Sequence, residues 1–232
     1  MKKCFLKTLY KRLLNVIFHP FFSMNVKPQP LVFNENDRCL VLAPHPDDES
    51  IGCGGIMALN NKIFKVICLT HGNDGRKDEF KNAMKVLDVE NEILDIKDKH
   101  IIDDYDTFKT IDFKGYNYIF VPYIYDQHND HKAISLHLNK YLKENKLNED
   151  LKIVFYEVWS TMNMPNAFVN ISNVVDKKRE AINCHISQVS EKDYTTKILG
   201  LNSYRGMLNN IGFAETFTAL DKKDFQKIMK EF

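Results

Sequence analysis

Residues 39–49 read Cys-Leu-Val-Leu-Ala-Pro-His-Pro-Asp-Asp-Glu, and this stretch decides the fold class. Its first five residues form a short apolar run that ends at a proline, which predicts a buried strand over Cys39–Ala43. The stretch Ser50–Leu59 then has the composition of a helix that begins directly after the acidic residues. A buried strand that leads through a short polar loop into a helix is typical of α/β proteins.

The same alternation of strand and helix continues along the chain. Further strands are predicted at Lys65–Leu69, Glu92–Ile96, Tyr118–Val121, Lys152–Val158, Phe168–Ile171 and Glu215–Ala219. Further helices are predicted at Asp78–Leu87, Lys132–Lys143, Val174–Cys184, Asp193–Leu201 and Asp221–Lys230. Strands that alternate with helices predict a mostly parallel sheet with helices on both faces, a Rossmann-like three-layer α/β/α arrangement.

The N-terminal segment has a different pattern from the rest of the chain. From about Lys3 to Phe18, apolar residues fall on one helical face and lysines spaced by four fall on the other, which predicts an amphipathic helix. The prolines that follow predict an extended connector up to Pro30. The sequence therefore predicts a division into residues 1–30, the basic helix and its connector, and residues 31–232, the main domain.

The composition is that of a globular protein, with 44% hydrophobic and 27% charged residues. Its 32 Lys and Arg against 31 Asp and Glu give a net charge of +1, which argues against nucleic-acid binding because that function needs a basic face. No Asp or Glu precedes Glu35, so the first 34 residues carry +6 and the remainder carries −5. A basic, amphipathic N-terminal helix suits peripheral membrane contact through residues 3–22, and docking of its apolar face on the domain is the alternative.

Five widely spaced cysteines without a Cys-x-x-Cys pair favour a reduced, intracellular protein. Lysines interrupt the N-terminal apolar stretch, and no small-residue cleavage site follows it, so a signal peptide is not expected. The expected location is therefore the cytoplasm, at the inner face of the cell membrane if the N-terminal helix binds there. The oligomeric state cannot be deduced from this sequence.

Two polar clusters follow predicted strands, where the functional groups of open α/β sheets gather. The first contains His45, Asp47, Asp48 and Glu49, and the second contains Asp126, His128, Asp130 and His131. His45 and Asp48 are three residues apart, so both can reach one ion across a tight turn, and His128 and His131 have the same spacing. Two histidines and one carboxylate with an open position are a typical catalytic zinc set, although iron or cobalt would suit the same ligands.

Each cluster alone also has an ordinary structural interpretation, a hydrogen-bonded histidine and an aspartate at a helix N-cap. Two such clusters at strand ends favour a metal site. A phosphoesterase is the weaker alternative, because it would require a second metal or an aspartate nucleophile.

These residues resemble the LmbE-like, or PIG-L, family of zinc-dependent de-N-acetylases. The resemblance runs from about Cys39 to Phe217. It is carried by the motifs Pro-His-Pro-Asp-Asp-Glu (44–49), Gly-Cys-Gly-Gly (52–55), Thr-His-Gly (70–72), the second polar cluster, Ser-Gln (187–188) and Ala-Glu-Thr-Phe (214–217). Members of this family remove acetyl groups from N-acetylglucosamine conjugates, among them glycosyl-inositol lipids and precursors of low-molecular-weight thiols.

The resemblance implies that His45, Asp48 and His131 bind Zn²⁺ and that Asp47 is the general base. It further implies that His128 stabilises the oxyanion and assists the leaving amine, with Asp130 orienting His128. Arg76 resembles an arginine that holds the sugar or phosphate of the substrate, and a solvated charge at a helix start is its alternative.

The expected function is therefore metal-dependent hydrolysis of an N-acetylhexosamine conjugate, a small molecule or a lipid-linked sugar. The alternatives are an amidase for a different N-acyl substrate and a non-catalytic carbohydrate-binding protein on the same fold. Trp159, the only tryptophan of the chain, could line a sugar pocket or belong to the core.

Overall fold

The computed structural model describes residues 27–72 and 75–232. The predicted N-terminal helix and most of its connector lie outside the described residues. Among those that the structure describes, no helix is long and apolar enough to cross a membrane.

One eight-stranded sheet forms the centre of the described part of the chain. Its strands are β1 (Gln29–Pro30), β2 (Cys39–Ala43), β3 (Phe64–Cys68), β4 (Glu90–Ile93), β5 (Tyr118–Pro122), β6 (Lys152–Tyr156), β7 (Ala167–Asn170) and β8 (Ala214–Asp221). Their order across the sheet is β1-β7-β8-β6-β5-β2-β3-β4. Within this sheet, β8 alone runs antiparallel to its neighbours β6 and β7, which confirms the predicted mostly parallel arrangement.

The central strand β2 pairs with β3 on one side and with β5 on the other. The chain therefore builds outward from β2 to β4 in one direction and then returns to continue on the opposite side of β2. The gap between β2 and β5 is a topological switch point, the place where open α/β sheets hold their ligands.

Helices cover both faces of the sheet. The described helices are α1 (Asp48–Leu59), α2 (Arg76–Leu87), α3 (Tyr105–Phe108), α4 (Asn129–Glu144), α5 (Val175–Asn183), α6 (Ile186–Val189), α7 (Tyr194–Leu208) and α8 (Lys222–Ile228). Short 3₁₀ segments lie at Asn61–Ile63, Ile101–Asp103 and Met229–Glu231.

Two separate apolar cores follow from the alternation of side chains along the strands. Val41 of β2 points to the core formed with α1, α2 and α5, whereas its neighbour Leu42 points to the core formed with α4 and α8. Because β2 is buried on both faces, all five of its residues are apolar and fully buried. The three-layer arrangement predicted from the sequence is confirmed.

Helix α1 packs unusually close to its neighbours because it contains glycines. A Cβ on Gly52 would lie 2.2 Å from the ring of Tyr156, and one on Gly55 would lie 2.5 Å from the side chain of Ile171. No real Cβ makes such contacts, so these two positions require glycine. The close approach fixes the start of α1, and with it the loop of residues 44–49, against the carboxyl end of the sheet.

The observed boundaries differ from the predicted ones at several places. Strand β4 begins at Glu90, two residues before the predicted start, and ends at Ile93 rather than Ile96. Strand β6 ends at Tyr156, because Glu157 turns its carboxylate to the buried guanidinium of Arg205. Gln29–Pro30, which the sequence placed in the connector, pairs with β7 at the edge of the sheet.

Candidate metal and active site

The two polar clusters meet at the switch point between β2 and β5. His45, Asp47 and Asp48 follow β2, and His131 lies in the first turn of α4, which begins seven residues after β5 ends. His131 is fully buried, and His45 is 8% exposed. The carboxyl ends of two adjacent parallel strands therefore bring together residues that are 83 or more positions apart in the sequence.

The loop between β2 and α1 is held rigidly by backbone hydrogen bonds. The amide of Thr70 donates to the carbonyl of Pro44 at 3.2 Å, and the Thr70 hydroxyl donates to the same oxygen at 3.0 Å. The amide of Asp48 donates to the carbonyl of His45 at 3.3 Å, which closes a tight turn. This turn places the His45 and Asp48 side chains side by side, as their spacing predicts.

Three side chains converge on one point at the end of the sheet. Oδ2 of Asp48 lies 3.2 Å from Nδ1 of His45 and 3.3 Å from Nε2 of His131. In a tetrahedral zinc site with bonds of 2.0–2.1 Å, neighbouring ligand atoms are roughly 3.3 Å apart. Both separations from Asp48 are close to this value, and the described groups whose ligand atoms all lie within 4.8 Å of one another are His45, His128 and His131, and His45, Asp98 and Asp130.

Buried atoms without partners support the same interpretation. Oδ1 of Asp48 and Nε2 of His131 are buried and have no hydrogen-bond partner among the described residues. Buried polar atoms are nearly always satisfied, so two unsatisfied atoms at one point indicate a missing ligand. Nitrogen and carboxylate oxygen are ligands that zinc takes in catalytic sites. The residues present therefore fit a zinc ion.

A carboxylate stands behind each of the two histidines. Nε2 of His45 lies 3.1 Å from Oδ2 of Asp130 and 3.1 Å from Oδ1 of Asp98. Nδ1 of His131 lies 3.5 Å from Oδ1 of Asp126. Metal-binding histidines commonly use their second ring nitrogen in this way, and the partner fixes the tautomer and orientation of the ring.

The carboxylates make the site attractive to positive charge. Burial alone would lower the pKa of His45, but its hydrogen bonds to Asp130 and Asp48 raise that pKa to about 10. Burial would also lower the pKa of His131, but the negative charge of Asp48 outweighs this effect and raises that pKa to about 9. Burial would raise the pKa of Asp48, yet the two imidazoles hold it well below its usual range. A divalent cation can take the place of the protons that these carboxylates stabilise on His45 and His131.

Asp47 lies beside the ligand cluster and is held separately from it. Its Oδ1 accepts a hydrogen bond from Nη2 of Arg76 at 2.9 Å, and the same nitrogen donates to the carbonyl of Pro46. Burial and the neighbouring Asp48 charge raise the pKa of Asp47 to about 7, against the opposing charge of Arg76. A carboxylate with a pKa near neutrality has the protonation behaviour that a general base requires.

His128 is the N-cap of α4 and faces the same space. Its Nδ1 accepts the backbone N–H of Asp130 at 3.2 Å, so the ring proton of neutral His128 resides on Nε2. Burial and the charges of His45 and His131 lower the pKa of His128, which favours this neutral form. One nitrogen each of His45, His128 and His131 lie within 4.8 Å of one another, so a three-histidine ligand set is a second possibility.

The carboxylate and the backbone amide of Asp130 contact different histidines. The carboxylate lies 3.1 Å from Nε2 of His45 and accepts, at 2.8 Å, a hydrogen bond from the backbone N–H of Lys99. The backbone N–H of Asp130 donates to Nδ1 of His128 at 3.2 Å. The role predicted for Asp130 in orienting His128 stays a prediction, and the group that contacts that ring is the backbone amide.

Sequence reasoning missed three residues that support the site. Asp126, noted as part of the second cluster without a role, accepts the amides of His128, Trp159 and Ser160 besides contacting His131. Asp98 and His185 were not considered at all, since nothing in their local sequence marks them.

Trp159 is 44% exposed and its ring packs against Tyr194, so it is not a core residue.

An open cleft of about 580 Å³ lies beside His45. It is bounded by His71, Gly72 and residues 95–100, and it includes Asp98. Asp98, which lines the cleft, lies 3.1 Å from Nε2 of His45, so the cleft adjoins the cluster through this one residue. A substrate could therefore extend from the cluster into this cleft.

The fold and this cluster define an α/β protein with a candidate histidine–aspartate metal site at the switch point of its sheet. Residues 40–142, which include both polar clusters, match the family model described as PIG-L, GlcNAc-PI de-N-acetylase. This part of the chain is therefore similar to the PIG-L, or LmbE-like, family.

Solved structures share the fold at low sequence identity. N,N'-diacetylchitobiose deacetylase from Pyrococcus horikoshii is 20% identical, with a TM-score of 0.68 over 93% of this chain and 92% of that one. A teicoplanin deacetylase, solved in a zinc-inhibited form, is 14% identical, with a TM-score of 0.64 over 81% and 99%. The 4-carboxy-2-hydroxymuconate hydratase of Pseudomonas putida is 20% identical, with a TM-score of 0.61 over 79% and 96%. Because a hydratase also has this fold, the reaction must be argued from the site.

Proposed function

We propose that this protein is a zinc-dependent N-deacetylase that acts on N-acetylhexosamine conjugates. The observation that carries the proposal is the convergence of His45, Asp48 and His131, with a carboxylate behind each histidine and Asp47 beside them. This arrangement combines a metal site with a separate base. Metal-assisted hydrolysis of an amide uses both.

The base is Asp47 in this proposal. A zinc ion held by His45, Asp48 and His131 would activate a water molecule and polarise the acetamide carbonyl. Asp47 then accepts a proton from the attacking water and delivers it to the departing nitrogen. Arg76 holds the Asp47 carboxylate at 2.9 Å, so the base is oriented before substrate arrives. The substrate-binding role expected for Arg76 is thereby joined to a positioning role.

His128 supplies the hydrogen bond to the oxyanion. Its Nδ1 is occupied by the amide of Asp130, so Nε2 carries the proton and can donate it as a hydrogen bond while the ring stays neutral. Removing one oxyanion donor typically costs about 3 kcal/mol of barrier stabilisation. The lowered pKa of His128 fits this neutral donor.

The substrate class follows from the family and from the surroundings of the site. The family description and one structural relative both name N-acetylated amino sugars, GlcNAc-PI and diacetylchitobiose. The cleft beside His45 can take the group attached to the sugar, and half-exposed Trp159 offers a face on which a sugar ring can stack.

The test is metal analysis followed by a substrate panel. Purified protein should contain about one zinc per chain, and it should release amine and acetate in equal amounts from at least one N-acetylglucosamine conjugate. Equal amounts matter because they distinguish amide hydrolysis from the addition of water that a hydratase performs. The panel includes other N-acyl amines, so activity on those alone would identify the alternative amidase. Metal without turnover on the whole panel would contradict the proposal.

We further propose a lipid-linked substrate and peripheral contact with the inner face of the cell membrane. The support is the basic, amphipathic pattern of residues 3–22, with lysines spaced by four opposite an apolar face. An enzyme bound to the cytoplasmic surface would meet amino sugars whose lipid part lies in the same bilayer.

A further inference from the structure

We infer that Glu49 and His185 form a buried pair that positions the base Asp47 through its backbone. The inference rests on the proposed function, because it assigns Asp47 the role of base. His185 lies outside the residues that match the family model, more than 130 positions from Asp47. Both Glu49 and His185 are buried, with exposures of 0% and 1%.

The backbone of Asp47 needs a partner to hold it. Its φ is 130° with ψ at −31°, a conformation that residues other than glycine rarely adopt. Such a strained residue persists only when its surroundings fix it. The N–H of Asp47 donates to Oε2 of Glu49 at 3.1 Å, and its carbonyl accepts the N–H of Ile51 at 3.0 Å. The carboxylate of Glu49 therefore stabilises the strained peptide directly.

Glu49 is itself fixed by His185. Nε2 of His185 lies 3.2 Å from Oε1 of Glu49 and 3.3 Å from the hydroxyl of Ser50, which also donates to Oε1 at 2.7 Å. A buried carboxylate is stable only when its oxygens accept hydrogen bonds. One oxygen of Glu49 thus serves Asp47, and the other is held by His185 and Ser50.

The segment that carries His185 also contacts α2, the helix whose Arg76 binds the Asp47 carboxylate. Two residues further on, the amide and hydroxyl of Ser187 donate to the two carboxylate oxygens of Glu79 at 2.8 and 2.7 Å. Glu79 lies in the first turn of α2, three residues after Arg76, whose guanidinium binds the Asp47 carboxylate. Residues 185–187 therefore contact Glu49, which holds the Asp47 peptide, and the helix turn from which Arg76 extends.

The experiment compares His185→Ala with His185→Gln, in the zinc-loaded full chain. Alanine removes the donor to Glu49, whereas the glutamine amide can still donate to it. We expect kcat of the alanine variant to fall about 10- to 100-fold, the loss that a misplaced catalytic group produces, with KM and zinc content unchanged. Glutamine should restore most of kcat.

A double-mutant cycle separates positioning from general structure. If His185 acts through Asp47, then His185→Ala should cause no further loss of kcat in an Asp47→Asn background. The matched control is His137→Ala, since His137 is also buried and hydrogen-bonded, to the carbonyl of Ile101 at 2.6 Å, but lies within α4 with its ring against Tyr105 and Phe108. Its kcat should stay within about twofold of wild type. Additive losses in the double variant would overturn the inference.

A second readout does not depend on any substrate. Exchange of the Asp47 amide proton with solvent, followed by NMR, should be at least tenfold faster in His185→Ala than in wild type and unchanged in His137→Ala. Unchanged exchange in His185→Ala would overturn the inference even if turnover fell. If wild-type protein released no amine from any conjugate, the proposed function would fail, and this exchange measurement would still decide whether His185 holds Asp47.

Discussion

Each histidine that faces Asp48 has a carboxylate near both of its ring nitrogens. His45 turns Nδ1 to Asp48 and Nε2 to Asp130, whereas His131 turns Nε2 to Asp48 and Nδ1 to Asp126. The two rings therefore present opposite nitrogens to one point. Such pairing orients each ring before a metal binds and makes the ligand nitrogen more basic.

His131 and His128 should differ in their effect on metal binding. We expect His131→Ala to lose bound zinc, because it removes a ligand whose Nε2 has no hydrogen-bond partner among the described residues. We expect His128→Ala to retain about one zinc per chain and to lose about 100- to 1,000-fold in kcat, the effect of removing an oxyanion donor. Zinc content is measured by elemental analysis. Loss of zinc from both variants would show that three histidines bind the metal.

Replacing Asp47 by asparagine should separate metal binding from chemistry. The amide has the size of the carboxylate but cannot accept the water proton, so kcat should fall by about two to four decades while zinc content stays the same. Asparagine also tolerates positive φ better than most residues, which limits disturbance of the loop. Turnover equal to that of wild type would rule out Asp47 as the base.

The sequence predicts the polar residues that meet at the switch point but not all of those that contact them. His45 and Asp48, like His128 and His131, stand three apart directly after predicted strands, so local spacing reveals them. Asp98 and His185 reach the site from distant loops, and only the folded chain shows that contact. The same holds for the contact between the Asp130 carboxylate and His45, which are 85 positions apart.

At the level of elements, α1 depends on an ion pair supplied by two other elements. Lys178 of α5 is fully buried, and its Nζ donates to the carbonyl of Ile51 and to Oε1 of Glu215, both at 2.7 Å. Glu215 of β8 also accepts the amides of Gly55 and Ile56 in the middle of α1. The pair thus joins α1, α5 and β8, and α1 follows directly after the loop of residues 44–49.

Breaking this pair should destabilise the protein strongly. Lys178→Met leaves the Glu215 carboxylate buried without its cation, and we expect the free energy of unfolding to fall by about 3–5 kcal/mol. Adding Glu215→Gln should recover part of that loss, because the uncompensated charge is removed. Urea denaturation measures both effects. The control is Lys62→Met, which breaks an exposed pair with Asp88 and should cost far less, because solvent screens such a pair. A loss for Lys178→Met no larger than the control's would contradict this role.

Elements with a clear hydrophobic period were predicted well, and short ones were not. Strands β2, β3 and β5 lie within one residue of their predicted bounds, because continuous apolar runs mark buried parallel strands. The four-residue helices α3 and α6 and the two-residue strand β1 carry no such period. Backbone pairing and capping by distant parts of the chain define them instead.

At the scale of the whole molecule, the N-terminal segment is separable from the site in our proposal. Deleting residues 1–26 should release the protein from vesicles that contain anionic lipid, since each basic residue near such a surface contributes about 1 kcal/mol of binding. The deletion keeps Gln29–Pro30, which belong to the sheet. Hydrolysis of a soluble N-acetylglucosamine conjugate should stay near the wild-type rate.

Vesicle co-sedimentation measures the release, and binding of the full chain should weaken as salt rises. A second variant keeps the full length of the chain and replaces Lys3, Lys7 and Lys11 by glutamine, which removes three positive charges. This variant should also bind the vesicles more weakly. If the shortened protein instead aggregates or loses zinc, the segment packs on the domain, and the argument for a lipid-linked substrate fails with it.

The two-residue strand β1 has a consequence for how such an enzyme would search for its substrate. Because β1 is paired with β7, residue 29 has a fixed position at the edge of the sheet. A connector of residues 19–28 spans at most about 35 Å when fully extended. If the N-terminal segment binds the bilayer, this connector would therefore keep the main domain within that distance of the membrane surface. The domain would then encounter a lipid-linked sugar by two-dimensional diffusion along the surface.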